Sequence, residues 1–153
     1  MFGEPGRLYV YRHLGLHHCV NVVTSPDGTA SAVLLRGGEV VAGADVARER
    51  RRAAGVTRTD VDLARGPARL AVALGLDLTA YGADLTDPAG DVVVAVRAPD
   101  AAPRAHVTGP RVGVSGEGAD PARYPWRLWL PDEPTVSVYR AAAPRRRRTP
   151  QTP

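Results

Sequence analysis

Three side chains able to do chemistry stand together at His17-His18-Cys19, two residues ahead of the single asparagine of the chain, Asn21. Imidazole and thiolate are common zinc ligands, so a metal is the first chemistry to weigh. Neighbouring residues of a strand point to opposite faces. His17 and Cys19 could therefore share an ion, while His18 points the other way. No CxxC spacing supplies the remaining ligands, and the expectation is no metal and no cofactor. Asn21 lies in the apolar run Val20-Asn21-Val22-Val23, where an amide is costly unless hydrogen-bonded. On residue type alone it is a satisfied buried amide or a bulge-maker.

What the chain lacks narrows the chemistry further. Its 153 residues include 20 basic side chains, all arginine. With no lysine there is no side-chain amine for a Schiff base and no P-loop lysine. One cysteine excludes an intramolecular disulfide and a cysteine-cluster site. The net charge of +4 is carried by Arg145-Arg146-Arg147-Arg148, because residues 1–144 hold 16 Arg against 16 acidic residues. Any nucleic-acid surface on the body must come from segregated charge rather than excess. No run approaches the roughly 18 apolar residues of a membrane span, and the opening residues lack the apolar core of a signal peptide. The expectation is a soluble, reduced, cytoplasmic protein with no membrane partner.

The elements that must position these groups follow from periodicity. Residues 7–13 alternate apolar and polar side chains and read as a strand, as do residues 17–23, with a hairpin tip near Leu14-Gly15. The turn Ser25-Pro26-Asp27-Gly28 leads to a third strand over residues 30–36. Three such runs with short links predict an antiparallel meander. Residues 44–54 form a helix ending at Gly55, and its arginine run reads as a solvated face, with phosphate contact the alternative. Gly66-Pro67 opens a second helix with Leu70, Ala73 and Leu74 on one face and Gly75 at its end. Residues 91–97 predict a buried strand, 111–114 and 126–130 two short ones, and 116–125 a polar loop. From residue 141 onward the Ala/Pro/Arg/Thr composition predicts a disordered tail. No repeat at solenoid periods occurs. The length suits one α+β domain, residues 1–140, ahead of that tail.

The run Met1-Phe2-Gly3-Glu4-Pro5-Gly6-Arg7-Leu8-Tyr9-Val10-Tyr11, followed by Gly15-Leu16-His17-His18-Cys19-Val20-Asn21-Val22-Val23, resembles the alkyladenine (3-methyladenine) DNA glycosylase family. Further blocks follow in family order. They are Ala32-Val33-Leu34-Leu35-Arg36, Gly66-Pro67-Ala68-Arg69-Leu70 with Ala73-Leu74-Gly75, Gly109-Pro110-Arg111-Val112-Gly113-Val114, Pro125-Trp126-Arg127-Leu128-Trp129 and Pro134-Thr135-Val136-Ser137. The resemblance implies a single α+β domain with a curved antiparallel sheet, flanking helices and a protruding β-hairpin that enters the DNA minor groove. It implies excision of alkylated or deaminated purines from double-stranded DNA by hydrolysis of the N-glycosidic bond, the first step of base-excision repair. The protein would act on the nucleoid as a monomer.

The resemblance also assigns roles. Tyr11 matches an aromatic wall around the flipped base, which must be held by stacking and edge contacts. Asn21 matches a residue whose amide crowds the exocyclic amine of normal guanine, which turns it from a structural amide into a selective one. Arg36 matches a residue that positions the nucleophilic water, the Val112 region a backbone carbonyl near the same water, and His17 a position beside the pocket. Leu14 stands where the family has a tyrosine wedge, and an apolar wedge can still unstack a base step.

The family's general base is a glutamate in an E-A-Y-type segment upstream of the MFG block. The chain opens on that block, so the expectation is a family member lacking the N-terminal part, with Met1 an internal methionine of the family pattern. Glu4 stands where the family has proline and is a poor replacement base. A late-started active hydrolase, a non-catalytic DNA-binding remnant and a fragment that folds poorly are the alternatives. Without a lysine, any glycosylase activity should be monofunctional and use water. The arginine tail either adds salt-dependent phosphate affinity or is a solvated end. Register supplies a structural condition: an odd hairpin loop puts Tyr11 facing His17 with Cys19 and Asn21 on that side. A two-residue loop would pair Tyr11 with His18 and turn Asn21 away.

Overall fold

The computed structural model describes residues 1–87, 89 and 94–142, and the Arg145–Arg148 run lies outside the described residues. The fold is α+β, and the described residues group into two compact units. The first is Met1–Ala102 with Pro134–Ser137; the second is Pro103–Glu133 with the chain from Val138 onward.

In the first unit, β1 (Leu8–His13), β2 (His17–Val23) and β3 (Ala32–Leu34) form the expected antiparallel meander in the order β1-β2-β3. β3 is shorter than predicted. Alternation sends Leu8, Val10 and Val20 to one side of the sheet. There they meet Ala47 of helix α1 (Ala44–Ala53), Leu70, Ala71 and Ala73 of helix α2 (Pro67–Leu74), and Leu63, Leu76, Ala80 and Leu85 from the connections. Burial of each large aliphatic side chain here contributes about 1.5–3 kcal/mol.

Helix α2 begins at Pro67, where a missing N–H costs nothing. It ends in a Schellman motif: Leu76 N–H donates to Ala71 O (2.8 Å) and Gly75 N–H to Val72 O (3.1 Å). Gly75 has φ +69, a backbone conformation that favours glycine, and a Cβ there would push aside the Arg50 guanidinium, 2.7 Å away. The motif corrects the predicted apolar face. Leu74 is exposed, and Leu76, folded back after the turn, fills the core with Leu70, Ala71 and Ala73.

The arginine run of α1 is also corrected. Arg48 pairs with Asp60 at 2.6 Å and with Asp45, Arg50 donates to Ala73 O at 3.2 Å, and Arg51 is buried. Of the run Arg50-Arg51-Arg52, Arg51 turns inward because successive helical residues are displaced by about 100° around the axis.

Of the strand predicted over residues 91–97, residues 91–93 lie outside the described set. Residues 94–97 are not a strand: Val96 N–H makes a backbone bond to Leu85 O (2.9 Å) without forming a ladder. The second unit holds β4 (Val107–Gly109) paired antiparallel with β5 (Arg127–Trp129). The strand falls before the predicted 111–114. Pro110 lacks the N–H a ladder needs, and Val112-Gly113 forms a turn with Gly113 at φ +74. The predicted 116–125 loop contains a single 3-10 turn, Gly116–Ala119. Among the described residues no helix is long and apolar enough to cross a membrane.

Candidate functional site

The turn between β1 and β2 decides which side chains share a face. Leu16 N–H donates to His13 O at 3.0 Å, and Leu14 and Gly15 between them have φ +50 and +70. Positive φ at both central residues is the handedness that matches strand twist in hairpins. For a leucine it is a strain of roughly 1–2 kcal/mol. The three-residue loop Leu14-Gly15-Leu16 then sets the register: His13 opposite His17, Tyr11 opposite Cys19, Tyr9 opposite Asn21.

The loop is therefore odd, as the register condition required. One detail is corrected: Tyr11 faces Cys19 rather than His17, because a three-residue loop pairs His17 with His13, two pairs nearer the tip. Tyr9, Tyr11, His13, His17, Cys19 and Asn21 all share one face, opposite the core. On the third strand Leu34 pairs with Asn21. Arg36, two residues on, is close enough for its charge to act on the Tyr11 hydroxyl.

That face is aromatic at its surface and polar beneath. The Tyr9 and Tyr11 rings lie 5.8 Å apart with 24° between their planes. Tyr81 meets Tyr9 edge-on at 5.9 Å, and His13 meets Tyr11 edge-on at 6.4 Å. Cys19 and Asn21 are only 5% and 6% exposed. Burial raises the Tyr11 pKa above the ordinary tyrosine value, and hydrogen bonding to Cys19 raises it further, while the Arg36 charge pulls it down. Tyr11 is thus a neutral phenol at physiological pH, a ring with one polar edge.

Asn21 Nδ2 donates to the carbonyl oxygen of Tyr9, its cross-strand partner, at 3.1 Å. One of the two amide N–H groups is thus satisfied, and that bond ties the amide to the backbone of Tyr9. At the hairpin tip Leu14 and Leu16 are 79% and 76% exposed, so two apolar side chains project where sequence analysis singled out one. His17 is exposed near the tip. His18 points to the opposite face, its Nε2 sealed without a hydrogen-bond partner. Among the described residues no three His, Cys, Asp or Glu side chains converge as a metal site would require.

Glu4 accepts from Arg7 Nη2 at 2.8 Å and Nε at 3.2 Å and is exposed, a solvated ion pair rather than a base held against a substrate. Val112 belongs to the second unit, half-buried in its turn, and the face described above is built from the first unit alone. Tyr9 and Leu16 escaped the sequence reading, although the i, i+2 spacing of Tyr9 and Tyr11 signalled a shared face. Tyr81 carried no local signal, since it arrives from a distant turn.

The sequence profile of the methylpurine-DNA glycosylase family matches residues 1–134. The chain belongs to that family. Proteins named "Putative 3-methyladenine DNA glycosylase" from Streptomyces avermitilis, Nocardia farcinica and Leifsonia xyli are 50%, 55% and 53% identical to it. Those matches cover 97%, 92% and 92% of this chain and 67%, 62% and 63% of the relatives. The chain thus spans about two thirds of the length of these methylpurine-DNA glycosylase relatives. The match includes the hairpin, β3 and Arg36 beyond it.

Proposed function

We propose that the protein acts in base-excision repair as a DNA-3-methyladenine glycosylase, hydrolysing the N-glycosidic bond of damaged purines in double-stranded DNA. The observation that carries this reading is the shared face of Tyr9, Tyr11, Cys19 and Asn21 on a hairpin tipped by Leu14 and Leu16, with the Arg36 charge acting on Tyr11 from beyond β3. An extruded purine needs an aromatic surface to replace its lost stacking and a polar edge to be read against. Tyr11 supplies the surface, Asn21 crowds the amine that distinguishes guanine, and His17 borders the rim. Leu14, with Leu16 beside it, wedges into the base stack. Arg36 orients the attacking water. Neither this face nor the 153-residue sequence carries a lysine, which supports water as the nucleophile and a monofunctional activity. The family domain extends over residues 1–140 and works as a monomer on nucleoid DNA.

A second reading is DNA binding without catalysis. It is favoured by the composition of the face, whose residues Tyr9, Tyr11, His13, His17, Cys19, Asn21, Leu34 and Arg36 include no carboxylate. Water attack at a sugar carbon needs a general base or a charge-stabilising carboxylate. Duplexes containing hypoxanthine or 3-methyladenine separate the two. Release of free base by the chain supports the hydrolase; retention of damaged-duplex binding with no release supports the binding module.

Asn21→Ala tests selectivity. The preference for hypoxanthine over guanine, measured as binding or as base release, should fall about tenfold. Stability should fall by only about 1 kcal/mol in thermal melting, the worth of the bond to Tyr9. An unchanged preference would leave Asn21 a structural amide.

A further inference from the structure

Helix α1 carries a charge that its surroundings do not neutralise. Arg51 is 6% exposed, and its Nε is sealed from solvent with no hydrogen-bond partner. Buried cations in folded proteins are paired or fully bonded as a rule, so Arg51 leaves an under-compensated positive charge between the helices.

The groups around it make the deficit larger. Asp62 is the carboxylate whose charge reaches Arg51, and it is shared. Its Oδ1 lies 3.4 Å from Arg69 Nη1 and 3.8 Å from Arg65 Nη1. Arg65 and Arg69 thus share the one carboxylate, and Arg51 feels only its charge from further away. Asp60, two residues earlier, is committed to Arg48 at 2.6 Å. Burial lowers the Arg51 pKa, the neighbouring Arg69 charge lowers it further, and Asp62 only partly offsets both.

The cluster is also held in place and open on one side. Arg65 Nε and Nη2 both donate to Val136 O, at 3.2 and 3.1 Å, which orients its guanidinium plane. The Arg65 and Arg69 side chains remain 31% and 45% exposed. The cluster lies on the helix side of the sheet, across from the face that carries Tyr11.

We propose that Arg51, Arg65 and Arg69, grouped about Asp62, form a binding site for a phosphate-type oxyanion. Planar guanidinium forks match the paired oxygens of a phosphoryl group. The surplus of positive charge over Asp62 suits a mono- or dianion. The oxyanion comes either from free phosphate or from a backbone phosphodiester of DNA. The second source rests on the proposed DNA-binding function; the first does not.

The test uses the full 153-residue chain. Thermal melting is followed in inorganic phosphate and in sodium chloride of equal ionic strength. Phosphate at about tenfold over its dissociation constant should raise the melting temperature by about 4 °C. Arg69→Gln and Arg51→Met should each abolish that rise. Arg69 is exposed enough for its variant to fold, so it decides the outcome if Arg51→Met does not fold.

The salt dependence of binding to an undamaged duplex is measured alongside. Loss of about one unit of slope in Arg69→Gln, with no response to free phosphate, assigns the site to the DNA backbone. An equal phosphate response in wild type and variants overturns the proposal. So does the absence of both effects. Neither arm reads base release, so failure of the glycosylase reading and failure of this one are told apart.

Discussion

Tyr11→Ala is expected to weaken binding of a hypoxanthine-bearing duplex by about 10- to 100-fold, the worth of roughly 1–3 kcal/mol of base–aromatic stacking. Affinity for an undamaged duplex should change by about twofold or less, because an unflipped base never reaches the ring. Tyr11 sits between Tyr9, 5.8 Å away and nearly parallel, and His13, edge-on at 6.4 Å. Truncation therefore removes the middle of an aromatic row. Tyr11→Phe keeps the ring and loses only the hydroxyl near Cys19 and Arg36, so it should retain most of the binding. Equilibrium titration of labelled duplexes, damaged and undamaged, reads all three proteins. Equal weakening on both duplexes would mean that Tyr11 supports the hairpin rather than a flipped base.

Leu63→Ala should cost about 3 kcal/mol and lower the melting temperature by roughly 10 °C. Leu63 is 0% exposed and belongs to the cluster that joins Val10 and Val20 of the sheet to Ala47 and Leu70 of the helices. Its N–H is tied to Asp60 O at 3.0 Å, so the backbone cannot easily collapse into the space left. Val61→Ala, two residues away at 37% exposure, is the control and should stay within about 0.5 kcal/mol. Chemical denaturation of the pair checks both numbers. A small effect at Leu63 would mean that the first unit relaxes around the cavity.

Val61 and Leu63 also show how far local patterning reaches. Both are aliphatic residues of the segment Asp60-Val61-Asp62-Leu63, and periodicity alone assigns neither to the core. The strands were more legible. Alternation over residues 7–13 and 17–23 anticipated β1 and β2 almost to the residue, because a half-buried strand writes its two faces into every second position. The second unit was less so. Val107-Thr108-Gly109 and Arg111-Val112-Gly113-Val114 are equally plausible short strands by composition. Backbone constraints, the missing N–H of Pro110 and the positive φ of Gly113, chose the first.

The candidate site divides the same way. Tyr11, Leu14, His17, Asn21, Arg36 and Val112 were named from blocks of sequence, and Val112 belongs to the second unit. Whether Tyr11, His17 and Asn21 share a face depended on whether the loop between the strands held two residues or three. One residue more or less inverts the face of every side chain on β2 relative to β1. Leu14 in a left-handed conformation, beside Gly15, closed the loop at three. In helix α1, Arg50, Arg51 and Arg52 look interchangeable in the sequence. Packing of α1 against α2 buries Arg51 and leaves Arg52 exposed.

By itself the sequence determined the meander, both helices, the family blocks and the absence of a lysine side chain, since each is written in composition or in short-range order. The tertiary structure decided which side chains face one another: Tyr11 over Cys19, Asn21 tied to Tyr9, Leu76 rather than Leu74 in the core, and Arg51 buried beside Arg69 and Asp62. Those choices turn on loop closure and on contacts between segments tens of residues apart, and no local pattern encodes them.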